Sequence, residues 1–571
     1  MKKLIALLIA ALMVFGMFAC GSGAATSSSS GSASSGSDSG KVEIQGNQSA
    51  FSVGTDTQKT EEAPKAEEAA AAPAAEPAPA VEKKAGGVLK IVGGTPTTRA
   101  WYDIRGIMAI AQFSYIYETL VRYDSTGAPE PFLAESVTPD ADALTWTIKL
   151  KDNIYFTDGS KLTAEVVAWN LDYYKEKGVL KDSYFKYYVS SEAVDELTCV
   201  CHFSNWDSLF DYSLCRTVLI ASKQAFDEHG EEWLNENPIG TGPFKQKEFN
   251  ADVSWIFEKN ENYWQGEVLL DGIESITYQQ ALVAAQALNA GEVQIQLTED
   301  YNLVEQLRNF SGLKAKASDL PSYYYTLCFN MRPSEDGTPD PFEDVRVRKA
   351  VSYLVNVDQI MDTLTFGYAL KTNQWAPPGG QFYNPDVQGQ EYNVEKAKEL
   401  LAEAGYADGF STQITTSANT VIIQIAQIII EELDKVGIKC ELNQVEGAAW
   451  VNYIGDWDKG MFIHQMGAEA GAASQYSTTF YNYEGFGLGV GSFKIGDELD
   501  ALTQSITSAP TPEELADRTK KVAKIVVDDE CMIKVLFGSQ AIVFMRDEVK
   551  DCHYSDVQNL RSDFWQTWLD K

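Results

Sequence analysis

Basic residues are scarce in this chain of 571 residues: 46 Lys and Arg face 81 Asp and Glu, for a net charge of −35. Affinity for nucleic acid comes from clustered Lys and Arg, so the shortage excludes direct binding to phosphate backbones. It equally excludes attraction to an anionic lipid surface. Histidine is scarcer still, at four residues, and no second cysteine pair complements Cys199 and Cys201. Those two cysteines and His202 fall in Leu197 to Phe203, which reads as a strand. Its period of two puts both thiols on one face and the imidazole on the other, so core cysteines are the expectation and a metal site is not. Seven cysteines follow Cys20, an odd number at wide spacing, which is no small disulfide framework. Reaction motifs are missing too: no Gly-x-Ser-x-Gly elbow, phosphate loop, His-Glu-x-x-His or EF-hand loop occurs. The alternating glycines at 485, 487, 489 and 491 lack the dinucleotide-binding pattern. With 81 acidic residues, paired carboxylates arise by chance and carry no argument for glycoside hydrolysis. Beyond the first twenty residues no segment is long and apolar enough to span a bilayer.

What is present begins with Lys2 and Lys3, ahead of an apolar run from Leu4 to Phe18 and then Ala19 and Cys20. The run is shorter than the roughly twenty residues of a spanning helix and reads as a signal-peptide core. Met17-Phe18-Ala19-Cys20-Gly21 resembles a bacterial lipobox, with Met17 where Leu is usual. The resemblance implies a lipid on Cys20, each buried methylene adding ~0.8 kcal/mol of membrane affinity. The alternative is an ordinary secretory signal cleaved nearby, and export follows either way. Residues 21–85 read as a disordered tether: Gly21 to Gly40 holds only Gly, Ser, Ala, Thr and one Asp, and Phe51 is the sole aromatic. Nine acids and five bases give the tether −4 and the signal adds +2, which leaves −33 on residues 86–571. The acidity belongs to the folded part.

That part starts with strands and turns mixed. Val88 to Val92, Leu144 to Leu150 and Val253 to Glu258 carry apolar runs or period-two alternation. Val347, Ala350, Val351 and Leu354 lie on one helical stripe, and Asn356 caps a second helix ending near Gly367. Asn393 caps another helix, with Gly405 at its stop. Phe410 to Thr416, Thr420 to Val436 and Ile438 to Gln444 form a strand, helix and strand, one βαβ unit. The change of character near residue 320 marks a lobe boundary.

Several blocks then carry a family resemblance: Tyr117-Glu118-Thr119-Leu120-Val121 with Pro131 to Ser136, Leu150 to Gly159 with Leu162 to Val167, and Asn237 to Phe244 with Asn260-Glu261-Asn262-Tyr263-Trp264. Phe342 to Ala350 and Lys396 to Tyr406 complete the set. Together they resemble the family-5 extracellular solute-binding proteins, the peptide, dipeptide and nickel receptors of ABC importers. Taken by themselves, Gly159 and Gly240 to Pro243 are turn formers, while Tyr117, Trp146, Tyr155, Tyr263 and Trp264 read as core. Asp344, Arg346 and Arg348 read as a helix cap with a surface ion pair.

The resemblance implies an α/β, two-lobed periplasmic-binding-protein-like fold of type II, with an extra subdomain and a cleft between lobes. Lobe 1 takes residues 86–322, with 129–235 as the subdomain; lobe 2 takes 323–529, and 530–571 returns to lobe 1. Two crossings then make the hinge. The implied protein is a monomeric receptor without a cofactor, lipid-anchored at the outer face of the cytoplasmic membrane. It captures a small solute, an oligopeptide or dipeptide first among them, and passes it to ABC permease subunits. A surface lipoprotein hydrolase and a ligand sensor or adhesin on the same fold are the other readings. Peptide-binding relatives carry an aspartate in the second lobe that pairs with the ligand's amino group. Alignment of Phe462 to Ala473 puts Met466 at the family's Trp and Glu469 at that Asp. Glu469 is thus either the ammonium partner or a solvated loop acid. Asn330, Trp375, Trp450 and Tyr476 are further candidates to line the cleft, where amides and aromatics fix ligands.

Overall fold

In the computed structural model, described residues are 83–96, 98–103, 112–332, 339–446, 449, 460–468, 471–480, 482–483, 486–487, 493–554 and 564–571. Their strands gather into two large sheets, a four-stranded one and three two-stranded ribbons. The first has seven strands in the order Leu313–Ala317, Ile542–Arg546, Ile295–Thr298, Val88–Gly93, Gly272–Thr277, Ser254–Lys259 and Phe244–Asn250. Val88–Gly93 runs parallel to Gly272–Thr277 and Ile295–Thr298, and the outer pairings are antiparallel. The second sheet has six strands: Ala369–Leu370, Ile533–Ser539, Tyr323–Phe329, Met461–Gly467, Ser411–Ser417 and Lys439–Val445. Ser411–Ser417 is parallel to Lys439–Val445 across the helix Thr420–Asp434, which is the βαβ unit expected from the sequence. The third sheet, four antiparallel strands between Ala134 and Phe203, packs on the helix Ala164–Lys177.

Local chemistry explains the helices. Asn356, Asn393 and Asn419 accept backbone N–H bonds at the starts of Val357–Leu364, Val394–Glu403 and Thr420–Asp434. Asp344 caps Val345–Leu354 and meets Arg346 at 2.5 Å in an exposed pair. Arg348 corrects the surface reading. It is 1% exposed, and its guanidinium donates to Phe342 O, Glu343 O and Glu530 O. Tyr155 is a second correction: it stands 44% exposed on a turn, whereas Tyr117, Trp146 and Tyr263 are buried and Trp264 is half-buried. In Thr198–Phe203, Cys199 and Cys201 point into the core while His202 faces Glu192 at 3.2 Å.

Three of the motif blocks, Tyr117–Val121, Asn237–Phe244 and Asn260–Trp264, converge on one buried carboxylate. Glu118 accepts from Tyr263 Oη at 2.7 Å, Thr241 Oγ1 at 2.8 Å and Trp264 Nε1 at 2.8 Å. Beside it the turn at Gly240 passes so close that a Cβ would lie 2.2 Å from Ile116 O. Blocks distant in sequence are therefore one packing unit, which accounts for their chemistry without a ligand.

The chain passes twice between the two large sheets, at residues 318–322 and at 540–541. Backbone bonds hold the crossings together: Ser318 N–H donates to Ala541 O at 2.8 Å and Ser322 N–H to Ser539 O at 2.8 Å. The return crossing thus comes later than the expected 530, because Ile533–Ser539 still pairs with Tyr323–Phe329 in the six-stranded sheet. A strand's partner is set by a distant segment, and nothing local in residues 530–540 announces it.

Candidate functional site

Strand period places Tyr324, Thr326 and Cys328 on one face of the six-stranded sheet, in register with Met466, His464 and Phe462. Trp375 covers this face. Its indole N–H donates to Thr326 Oγ1 at 3.0 Å, and its ring stacks on Tyr476 at 5.1 Å and 27°. Tyr476 Oη in turn accepts from the Trp375 backbone N–H at 3.2 Å. Two expected site residues, a hundred positions apart in sequence, are thus brought together. Both are fully buried, however, so they form a wall behind the seam and present no ring to solvent in this conformation. His464 lies under the same cover. Burial pushes its pKa down to about 4, so it is neutral at physiological pH, and its Nδ1 has no hydrogen-bond partner among the described residues. Asn330 is engaged elsewhere: fully buried, it donates to Arg332 O at 2.9 Å and Asp340 Oδ2 at 3.3 Å, stapling a loop. Trp450 and Glu469 lie outside the described residues.

The residues flanking Glu469 are described, and they occupy a telling place. Ala468 N–H donates to Ser322 O at 2.8 Å, at the first crossing. Gly471 sits against the small subdomain, where a Cβ would lie 3.4 Å from Tyr212 Cε1. Within the aligned stretch Phe462 to Ala473, Ala468 therefore lies at one crossing and Gly471 at the seam between the subdomain and the second sheet.

Sequence reasoning missed the other side of that seam. Gln381 Nε2 donates to Tyr212 Oη, and Tyr212 and Phe382 pack with ring centroids 5.8 Å apart. Trp206 Nε1 donates to Ala509 O at 2.7 Å, while Ser208 donates through its N–H to Thr507 O at 3.1 Å and through Oγ to Ile506 O at 3.0 Å. Buried apolar residues from Leu120 to Ile220 and from Tyr324 to Val535 form one continuous core across it. The short helix Phe210–Arg216 carries no cleft motif, and only the tertiary contact reveals it. Along this seam the described contacts are hydrogen bonds to carbonyls and a hydroxyl, with packed apolar and aromatic side chains between them.

Comparison with known proteins fits this geometry. A family model described as bacterial extracellular solute-binding proteins, family 5 (middle part), matches residues 128–487. The glutathione-binding protein GsiB of Escherichia coli O1:K1 is 29% identical over 401 residues, covering 68% of this chain and 76% of its own length. The crystal structure of the ABC transporter substrate-binding protein CtaP from Listeria monocytogenes superposes with a TM-score of 0.74 at 20% identity, over 86% of this chain and 100% of that one. The periplasmic binding protein DppA from Helicobacter pylori, solved with the peptide STSA, gives a TM-score of 0.64 at 25% identity, over 86% and 99%.

Proposed function

The chain belongs to family 5 of the bacterial extracellular solute-binding proteins, and from that premise we propose that it captures a short peptide or a glutathione-like ligand for an ABC importer. The observation that carries the reading is the seam. The Glu469 segment is anchored at Ala468 to a crossing and at Gly471 against Tyr212, so a ligand held there touches both halves of the body. Such a ligand favours the closed form by the difference between its affinities for closed and open states. In this reading Glu469 receives the ligand's ammonium, with the Trp375–Tyr476 stack as the wall behind it. Hinge closure then presents the loaded body to the permease. A lipid on Cys20 keeps the protein at the outer face of the membrane, and the body acts as a monomer without turnover.

The test is a thermal-shift screen of di- to pentapeptides and of reduced and oxidised glutathione, followed by calorimetry and product analysis of each hit. Saturable one-to-one binding with unaltered ligand supports the receptor. Absence of any shift across the set overturns the cargo class, and appearance of cleaved product overturns the receptor in favour of a hydrolase. Fractionation of Cys20→Ser checks the anchor: the variant is expected in the soluble fraction, and full retention in detergent-extracted membrane refutes the lipid.

A further inference from the structure

The seam is held by an unusual set of residues. Within Trp206–Tyr212, three side chains reach across to the second half of the body: Trp206 to Ala509 O at 2.7 Å, Ser208 to Ile506 O at 3.0 Å, and Tyr212 to Gln381 and Phe382. The two remaining polar residues of the stretch are acids, Asp207 and Asp211. Asp207 is 9% exposed, and Asp211 reaches solvent only in part. Each carboxylate accepts from a backbone N–H of its own segment, Leu209 at 3.0 Å for Asp207 and Tyr212 at 2.9 Å for Asp211. We propose that Trp206–Tyr212 is a proton-sensitive clasp between the extra subdomain and the second lobe, fastened when Asp207 and Asp211 are protonated and loosened when they ionise.

The surroundings support this. Among the described residues of the second lobe the segment meets Gly471, Gln381, Phe382 and the turn Ile506–Ala509, which carry no charge, while Glu469, two residues before Gly471, lies outside the described residues. The basic group behind that turn, Arg518, donates to Ser505 O and pairs with Glu514. On the subdomain side Lys186 attracts Asp207, Arg216 lies over the Tyr184 ring, and Asp124 adds a further negative charge near Tyr212. Among the described residues Lys186 is the one cation that lowers Asp207, and its effect is smaller than that of burial. Burial pushes Asp207 up to about 6, and it pushes Asp211 up as well, with repulsion from Asp207 adding to the effect.

The sign follows from linkage. A carboxyl whose pKa is higher in the clasped than in the open form binds its proton more tightly there. Clasping is therefore favoured fully below the ordinary Asp value and is lost as pH rises through the clasped-form value. Each carboxyl contributes up to about tenfold in the clasped-to-open ratio per pH unit between those limits. The clasp depends on the two-lobed body and not on which solute it carries, so its failure leaves the cargo reading untouched.

Hydrogen exchange of the full-length, solute-free protein tests it, through the protection factor of the Ser208 amide, which donates to Thr507 O across the seam. Protection is expected to fall at least about tenfold between pH 5 and pH 8, because both carboxyls release their protons over that span. The double variant Asp207→Asn/Asp211→Asn mimics the protonated pair in shape and hydrogen bonding, so it folds. It is expected to keep high protection across the range. Trp206→Phe, which removes only the indole donor to Ala509, is expected to lower protection at every pH while keeping its slope. A native protection factor that is flat with pH, or a slope that survives in the double Asn variant, overturns the clasp.

Discussion

Lys534 and Arg348 are both buried cations, and they act on stability in opposite ways. Lys534 is 7% exposed and donates to Gln390 O, and burial pushes its pKa down to about 8. Because the folded value lies below the ordinary lysine value, the unfolded chain holds more protons between about pH 8 and 10.5. Stability therefore rises with pH through that window, and at pH 7 the charge works against folding. Lys534→Met is expected to gain about 1–2 kcal/mol at pH 7, the relieved desolvation less one lost hydrogen bond, and to flatten that rise. Urea melts at pH 7 and pH 9.5 check it, and an unchanged slope would show that the lysine is not the titrating group. Burial lowers the Arg348 pKa too, but its guanidinium donates to three carbonyls, which offsets that cost. Arg348→Met strands those acceptors in the core and is expected to cost about 3 kcal/mol, read as a drop in urea midpoint. An unaltered midpoint would mean water replaces the guanidinium. The sequence put Arg348 at the surface because charge alone reads as exposed, and its carbonyl partners lie in other elements.

At the scale of elements, what was legible is what is local. Asn356 and Asn393 announce helix starts because a cap bonds to N–H groups two or three residues on. The βαβ unit was legible through its apolar period, and the strand Ile533–Ser539 was misplaced because its partners stand two hundred residues away. The candidate site divides the same way. The Glu469 segment is marked by its alignment, whereas the contact of Tyr212 with Gln381 and Phe382 joins residues with no shared pattern. The βαβ unit also contains a close crossing that no local rule reveals. Gly409 has φ 77°, and a Cβ there would lie 2.2 Å from Gly437 O, at the turn between the helix and its second strand. Gly409→Ala has to move one backbone against the other as well as hold a left-handed conformation. It is expected to cost about 2–4 kcal/mol, from strain plus overpacking. Thermal unfolding measures this, and a Tm within a degree of the parent would show that the two turns separate freely.

On the scale of the whole molecule, the two crossings decide which motion is available. They are bonded side by side, Ser318 N–H to Ala541 O at 2.8 Å and Ala541 N–H to Ser318 Oγ at 3.1 Å, so neither slides past the other. Each feeds directly into a strand paired on both sides, Tyr323–Phe329 or Ile542–Arg546, so in the proposed closure a torsional change at 318–322 and 540–541 swings a sheet with its helices as a unit. In that closure the contact of Trp206–Tyr212 with Ile506–Ala509 opens or shuts, and a solute beside Gly471 is released or enclosed by the same rotation. Saturating solute is expected to raise stability by about 2.7 kcal/mol at a hundred times Kd. It is also expected to lower the radius of gyration, as bound molecules leave the open state. The comparison belongs on residues 84–571, which cluster in one compact unit. Scattering curves that superpose with and without a solute that shifts the Tm would exclude rotation at the crossings. Binding would then proceed within a body already closed, and exchange of solute would have to pass through local opening of the Trp206–Tyr212 contact instead.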